Sequence, residues 1–235
     1  MADFAEFTRR AHLRNVILPG GDAAVRRPWR MALSYLRDTF GTQMPSGLDC
    51  FRDVSEKQLE LVDAMIARRV QTVETSSCGR LFDAVAALVG LGPVTTFEGQ
   101  AAIALESAVA QEVERRYDFE IEGETPAVLD FRPMIASIVK DLSTGEAVGE
   151  ISSRFHNTIC AAIVEVCCRI RDTDGLNRVC LSGGTFQNLY LQHRTAAELR
   201  LHKFGVFLHA TVPSNDGGIS LGQAVIANER LQRGE

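Results

Sequence analysis

The sequence predicts an α/β protein whose first half is rich in helix. Three observations carry that expectation. Apolar residues recur at three- and four-residue spacing in several stretches before residue 175, the pattern of helices with one buried face. After residue 177 the order becomes strand, glycine turn, helix, strand, glycine turn, helix, which is the layout of an α/β layer. The composition suits a folded chain: of 235 residues, 46% are hydrophobic and 23% charged, enough to bury a substantial core.

Residues 1–27 read as irregular, with a turn at Pro19-Gly20-Gly21-Asp22, where paired glycines allow backbone angles other residues avoid. Pro28 fits a helix start, since its missing N–H is not needed there, and Trp29 to Phe40 is the helix. Leu59, Val62, Met65 and Ile66 place a second helix over 55–69. Ser76 or Ser77 can cap a third, over 79–89. Thr95 and Glu98 stand at capping-box spacing ahead of an Ala-rich helix over 98–114. Alternation from Tyr117 to Ile121 predicts a half-exposed strand that pairs with Ala127–Phe131 across residues 122–126. A helix fits 133–142. The longest helical stretch is 145–171, with Ile151, Phe155, Ile159, Ala162, Ile163, Val166 and Ile170 along one stripe. Strands at 178–181 and 206–209 lead into helices over 187–199 and up to about 231. The expected organisation is an N-terminal and helical segment, 1–115, and an α/β lobe, 116–235, forming one continuous structural unit.

Bulk properties narrow the function classes. The net charge is −5 and no face is obviously basic, so nucleic acid is not an expected partner. No run of roughly 20 apolar residues is present, so no helix spans a membrane. The polar, acidic first ten residues hold no signal-peptide core, and the cytoplasm is the expected compartment. The six cysteines, Cys50, Cys78, Cys160, Cys167, Cys168 and Cys180, form no C-x-x-C pair and read mostly as small buried apolar residues. No two of the five histidines stand at i, i+4, and neither a P-loop nor a nucleophile elbow occurs. His156 is expected on the polar side of its helix.

Five places can carry chemistry, and each has a plain structural alternative; for Gly20, Gly21, Asp22, Trp29 and Arg30 it is a turn beside a half-buried aromatic. The glycines of Ser182-Gly183-Gly184 let a ligand approach the backbone, and the helix that follows suits a phosphate, with Asn188 adding an amide. The alternative is a tight turn with no ligand. Asp216, in Asn215-Asp216-Gly217-Gly218, can hold a metal ion or can cap the next helix. Arg80 and Asp83 are three apart in an apolar helix; they pair with each other or face a nucleotide. Glu98 and Gln100 are weaker candidates, Glu98 being accounted for by the capping box.

Several stretches together resemble the HypF family of hydrogenase-maturation carbamoyltransferases. They are Leu18-Pro-Gly-Gly-Asp22 with Arg27-Pro-Trp-Arg30, Thr75-Ser-Ser-Cys-Gly-Arg-Leu-Phe-Asp-Ala84, Phe97-Glu-Gly-Gln-Ala-Ala102 and Arg154-Phe-His-Asn157. Leu181-Ser-Gly-Gly-Thr-Phe-Gln-Asn188 and Val212-Pro-Ser-Asn-Asp-Gly-Gly-Ile-Ser-Leu-Gly-Gln223 complete the set, in family order and over nearly the whole chain. The resemblance implies the second lobe of an actin-like, sugar-kinase-like ATPase core with a large helical insertion. It implies transfer of a carbamoyl group from carbamoyl-adenylate, itself made from carbamoyl phosphate and ATP, to the C-terminal cysteine of a partner maturation protein. By motif, Gly183, Gly184, Asn188 and Gly217 would line the nucleotide. Arg80 and Asp83 would approach the nucleoside, and Asp216 would bind a divalent metal (zinc, iron or magnesium) beside Asn215. Glu98 and Gln100 would play lesser parts. The family's histidine metal motif and first lobe belong upstream of these residues, so the site is expected to be completed by another chain or by self-association. The junctions near 183 and 216 should then lie side by side as one wall of a nucleotide cleft. The resemblance names no catalytic residue.

Overall fold

The structure, a computed structural model, describes residues 1–234. In chain order its elements are β1 (Ala11–Leu13), β2 (Val16–Pro19), α1 (Asp22–Arg26), α2 (Trp29–Phe40), α3 (Glu56–Arg68), β3 (Thr72–Thr75), α4 (Cys78–Leu88) and α5 (Gln100–Ser107). They continue with β4 (Glu120–Glu122), β5 (Ala127–Asp130), α6 (Arg132–Ser143), α7 (Val148–Asp174), β6 (Arg178–Leu181), α8 (Leu189–Leu201), β7 (Gly205–Leu208) and α9 (Ile219–Arg233). Three small sheets form, with strand orders β1-β5-β4, β2-β3 and β6-β7. Among the described residues no helix is long and apolar enough to cross a membrane.

The chain divides into two compact units. One comprises residues 13–121 and 129–158; the other comprises 1–12, 122–128 and the described residues from 159 on. In the first, α2 packs on α4, α6 and β2, and α4 packs on α5. Helix α4 suits the centre of this core because Leu81, Phe82 and the run Ala84–Leu88 are apolar all round, and every one of them is buried. The Phe82 ring meets Phe155 of α7 edge-on at 4.7 Å, a favourable aromatic geometry. Two strands absent from the sequence reading, β2 and β3, pair antiparallel from Val16↔Thr75 to Pro19↔Thr72. Gly20, at φ 84°, turns the chain out of β2 into α1.

One expectation about the helices fails for a tertiary reason. The Ala-rich stretch is helical only over Gln100–Ser107 and starts at Gly99 with no side-chain cap. Thr95 gives its hydroxyl to the Val25 carbonyl instead of forming a box with Glu98, and Gln100 accepts from the Thr96 N–H at 2.7 Å. Residues 108–117 are held off helix by the first half of α7. Ser153 accepts the Ala110 N–H, Asn157 donates to the carbonyls of Val113 and Arg115, and Thr158 accepts the Tyr117 N–H. These bonds satisfy backbone groups that helix would otherwise satisfy, and burial makes leaving them unpaired costly.

His156 lies on the buried side of α7, not the polar side: it is fully buried, with Nδ1 2.7 Å from the Ser152 carbonyl. Desolvation holds its pKa down at about 4, against a hydrogen bond to Ser152 that pulls upward. The unfolded chain therefore takes up this proton near the ordinary value of 6.5, while the fold resists it until about 4. Stability from this group is complete above the unfolded pKa and falls as pH drops from 6.5 toward 4, by on the order of 3 kcal/mol. Buried Asp83 has the opposite slope in the same range, its carboxyl raised to about 6 chiefly by desolvation. Comparison with His156→Gln in urea denaturation at several pH values separates the two: the variant should lose the acid-side decline specific to wild type. Parallel stability–pH curves would contradict the neutral buried imidazole.

Candidate functional site

In the second unit, β6 and β7 run parallel, from Arg178↔Gly205 to Leu181↔Leu208. Val179, Leu181, Val206 and Leu208 are the less exposed alternate residues, and Leu191, Ala196 and Leu199 of α8 are buried with them. Both glycine-bearing segments therefore leave the same, carboxyl, edge of the strand pair, where open α/β sheets place ligands.

Two contacts join the segments side by side, and a third braces the second segment. The Gly183 N–H donates to the Ser214 carbonyl at 2.8 Å. His209, at the end of β7, lies 3.1 Å by Nδ1 from the Val212 carbonyl and 2.9 Å by Nε2 from the Ser182 hydroxyl. A carbonyl only accepts, so Nδ1 carries a proton, and with the ring in that neutral tautomer Nε2 accepts from the Ser182 hydroxyl. The sequence reading missed His209, Ser182 and Ser214. Only the nearness of Ser182 and His209 to the two glycine turns could have signalled them.

The predicted residues of this unit divide into those that build the wall and those that face outward. Asn188 is the N-cap of α8: its side-chain oxygen accepts the Leu191 N–H at 2.8 Å. Asn215 caps the 3-10 turn Asp216–Gly218 by accepting the Gly217 N–H at 3.0 Å, so the capping role expected of Asp216 belongs to Asn215. A side chain at Gly218 would meet the Pro213 carbonyl at 2.9 Å, and one at Gly217 would meet the Pro213 ring at the same distance. These two glycines are fixed by packing within the turn. Gly183 adopts φ 99°, a region open mainly to glycine. Nothing lies within 4 Å of where a side chain at Gly183 or Gly184 would begin, and both residues are exposed. The Gly183 and Gly217 amides are already bonded, so Gly183 offers a ligand room and not a donor.

Asp216 is exposed. Among the described residues, no group of three or more histidine, cysteine, aspartate or glutamate ligand atoms includes it. Divalent metal sites draw on several protein ligands, so the residues present do not by themselves make one here.

In the first unit, Arg80 and Asp83 pair at 2.8 Å and are well buried, with side chains 14% and 5% exposed. The contact lacks hydrogen-bond alignment, and Arg80 Nη1 and Asp83 Oδ2 are buried without a hydrogen bond. Desolvation raises the Asp83 carboxyl to about 6; Arg80 opposes this and Glu98 adds to it. Glu98 itself is exposed, and Gln100 is engaged with Thr96. The structure thus bears out the pairing of Arg80 with Asp83 and leaves two polar atoms of the pair short of partners.

The His209 geometry is open to a direct check. In mildly alkaline solution its imidazole 15N spectrum should show a protonated Nδ1 and a bare Nε2, and Ser182→Ala should leave that tautomer in place. A predominantly Nε2–H ring would contradict the bridging role.

Comparison with known proteins agrees with this layout. Residues 1–223 match the family model described as carbamoyltransferase, Kae1-like domain, second subdomain. The carbamoyltransferase HypF of Synechocystis sp. is 34% identical over 236 residues, covering 92% of this chain and 29% of the relative. The carbamoyltransferase HypF homolog of Cupriavidus necator is 33% identical over 231 residues, covering 95% of this chain and 58% of its own. A crystal structure of full-length HypF, described as phosphate- and nucleotide-bound, superposes with a TM-score of 0.87 at 39% identity. That match covers 98% of this chain and 30% of the solved one, so the chain spans under a third of that relative's length. With the motifs in order and the fold in agreement, the chain belongs to the HypF carbamoyltransferase family, as the second subdomain of its Kae1-like domain.

Proposed function

We propose that this chain provides one wall of the nucleotide site used in carbamoyl transfer during hydrogenase maturation. The observation that carries the reading is the open backbone at Gly183 and Gly184, held beside the Asp216 turn by the Gly183–Ser214 bond. Two strand–helix junctions at one sheet edge, with no side chain over the glycines, leave room for a phosphate or adenylate to lie against main chain. The reaction implied is attack of a partner protein's cysteine thiolate on the carbamoyl carbon of carbamoyl-adenylate. The new C–S bond forms as the bond from that carbon to the phosphate oxygen breaks, and AMP leaves. The role of these residues is to bind and orient the adenylate, since fixed geometry lowers the barrier of such a step.

A nucleoside contact at Arg80 and Asp83 belongs to the reading on the motif alone, since the two polar atoms of the pair that lack hydrogen bonds are shielded from solvent. A divalent metal is part of the reading at Asp216, with the remaining ligands coming from outside this chain. No step depends on it here.

A second reading, a protein-binding module without chemistry, also has an observation behind it. Helix α9 has no buried residue and exposes Ile219, Leu221, Val225, Ile226 and Leu231, while Phe207 lies exposed on β7. Apolar surface of this kind usually packs against another module or subunit.

Titration with AMP, followed by amide NMR, tests the first reading. Shifts should centre on residues 182–188 and 214–218 and saturate. Gly184→Val should weaken binding about tenfold or more, roughly 1.4 kcal/mol, with little change in melting temperature because the added side chain meets nothing in the fold. Unaltered AMP binding by Gly184→Val would remove that wall from the site. No AMP binding, together with concentration-dependent self-association, would favour the second reading.

A further inference from the structure

A cavity of about 610 Å³ lies in the first unit, between α2, α3 and the segment 44–52 that precedes α3. It is separate from every residue assigned above, and its volume falls within the range of small-molecule sites. Its walls are apolar: Leu33, Met44, Pro45, Leu48, Phe51 and Leu59. Behind them Trp29, Leu33 and Val62 form a buried cluster on which Met44, Phe51 and Leu59 pack, so the floor is supported. Ser55 and Gln58 form a capping box at the start of α3, which fixes the segment's entry into that helix.

The polar groups at the rim are unequal. Asp63 is bonded by Arg37 of α2, which also donates to the Gly41 carbonyl. Asp49 pairs with Arg52 at 2.6 Å. Glu60, exposed on α3, has no ionic partner among the described residues. The cavity thus combines an apolar interior with a single uncompensated carboxylate at its mouth.

We infer that this cavity binds a small organic monocation, an aryl- or alkylamine whose apolar body fills the pocket and whose ammonium faces Glu60. The charge pattern disfavours phosphates and carboxylates, because Glu60 would repel them and both arginines are already engaged. The apolar body supplies most of the affinity by leaving water, and the carboxylate orients it. This inference does not depend on the proposed carbamoyl chemistry.

The test uses 3-phenylpropylamine as probe and 3-phenylpropanol as its uncharged counterpart, with methyl NMR of Met44 and Leu59. The amine should produce saturable shifts at both residues. The alcohol should bind about two- to fivefold more weakly, as expected for one exposed charge contact, and Glu60→Gln should bring the amine to the alcohol's affinity. Glu60 is exposed, so the variant should retain its fold. Equal binding of the two probes would overturn the inference. So would absence of saturation with amine on the order of 10 mM. Shifts produced by a basic, leucine-containing peptide and not by the amine would identify a protein-docking surface instead and overturn it too.

Discussion

The hydrogen bond from the Gly183 N–H to the Ser214 carbonyl is the constraint on which the candidate site depends. The strands behind it are four residues each and form a sheet of only two, which offers limited rigidity on its own. Parallel pairing brings the ends of β6 and β7 level; the bond then ties the loops that follow. His209 adds a second tie by bridging Ser182 and Val212. Pro213 closes against Gly217 and Gly218 so that neither position has room for a side chain without displacement. The consequence for function is specific. The Gly183 amide is spent on aligning the two junctions, and what the turn leaves for a ligand is close, unobstructed approach at Gly183 and Gly184.

In the other unit a buried polar strip on α7 accompanies the apolar core around α4. Ser152, Ser153, His156, Asn157 and Thr158 are all buried in α7, and their side chains bond backbone groups of residues 105–117 or of α7 itself. Arg154 reaches Asp141 at 2.8 Å and Glu146 at 3.1 Å, with its guanidinium 5.9 Å from the Tyr117 ring. The Arg-Phe-His-Asn stretch thereby serves architecture: Arg154 reaches Asp141 and Glu146, Phe155 and His156 pack on Phe82, and Asn157 holds the carbonyls of Val113 and Arg115. The stretch holds residues 108–117 in place, and the buried imidazole's pKa is held down because desolvation outweighs its hydrogen bond to the Ser152 carbonyl.

Much of the fold was legible because local signals and packing agree. Trp29 to Phe40 is helical as read, closed by Gly41 at φ 59°, and Arg178 to Leu181 is the strand expected. Helices α4, α6, α7 and α8 fall within a few residues of the periodic stretches that predicted them. The failures have particular causes. Thr72-Val-Glu-Thr75 has one apolar residue, Val73, and both it and Val16-Ile-Leu-Pro19 are too short to show a period, so β3 and its partner β2 were invisible. The helix over 98–114 broke where α7 side chains compete for its backbone, information that lies more than 40 residues away in sequence. At the site, the glycine turns and their adjacency were anticipated. The division of labour among them was not, since which amide meets which carbonyl follows only from strand register.

Amide hydrogen exchange at Gly183 and Gly184 tests the central claim most directly. Both residues are exposed, and Gly183 lies in neither strand nor helix. If the crossing bond to Ser214 sets the wall, Gly183 exchanges as slowly as the paired amides of β6, whereas Gly184 exchanges at the rate of an open loop. Two glycines exchanging at the same unprotected rate would mean that the junctions are not tied together, and the wall would not exist in solution.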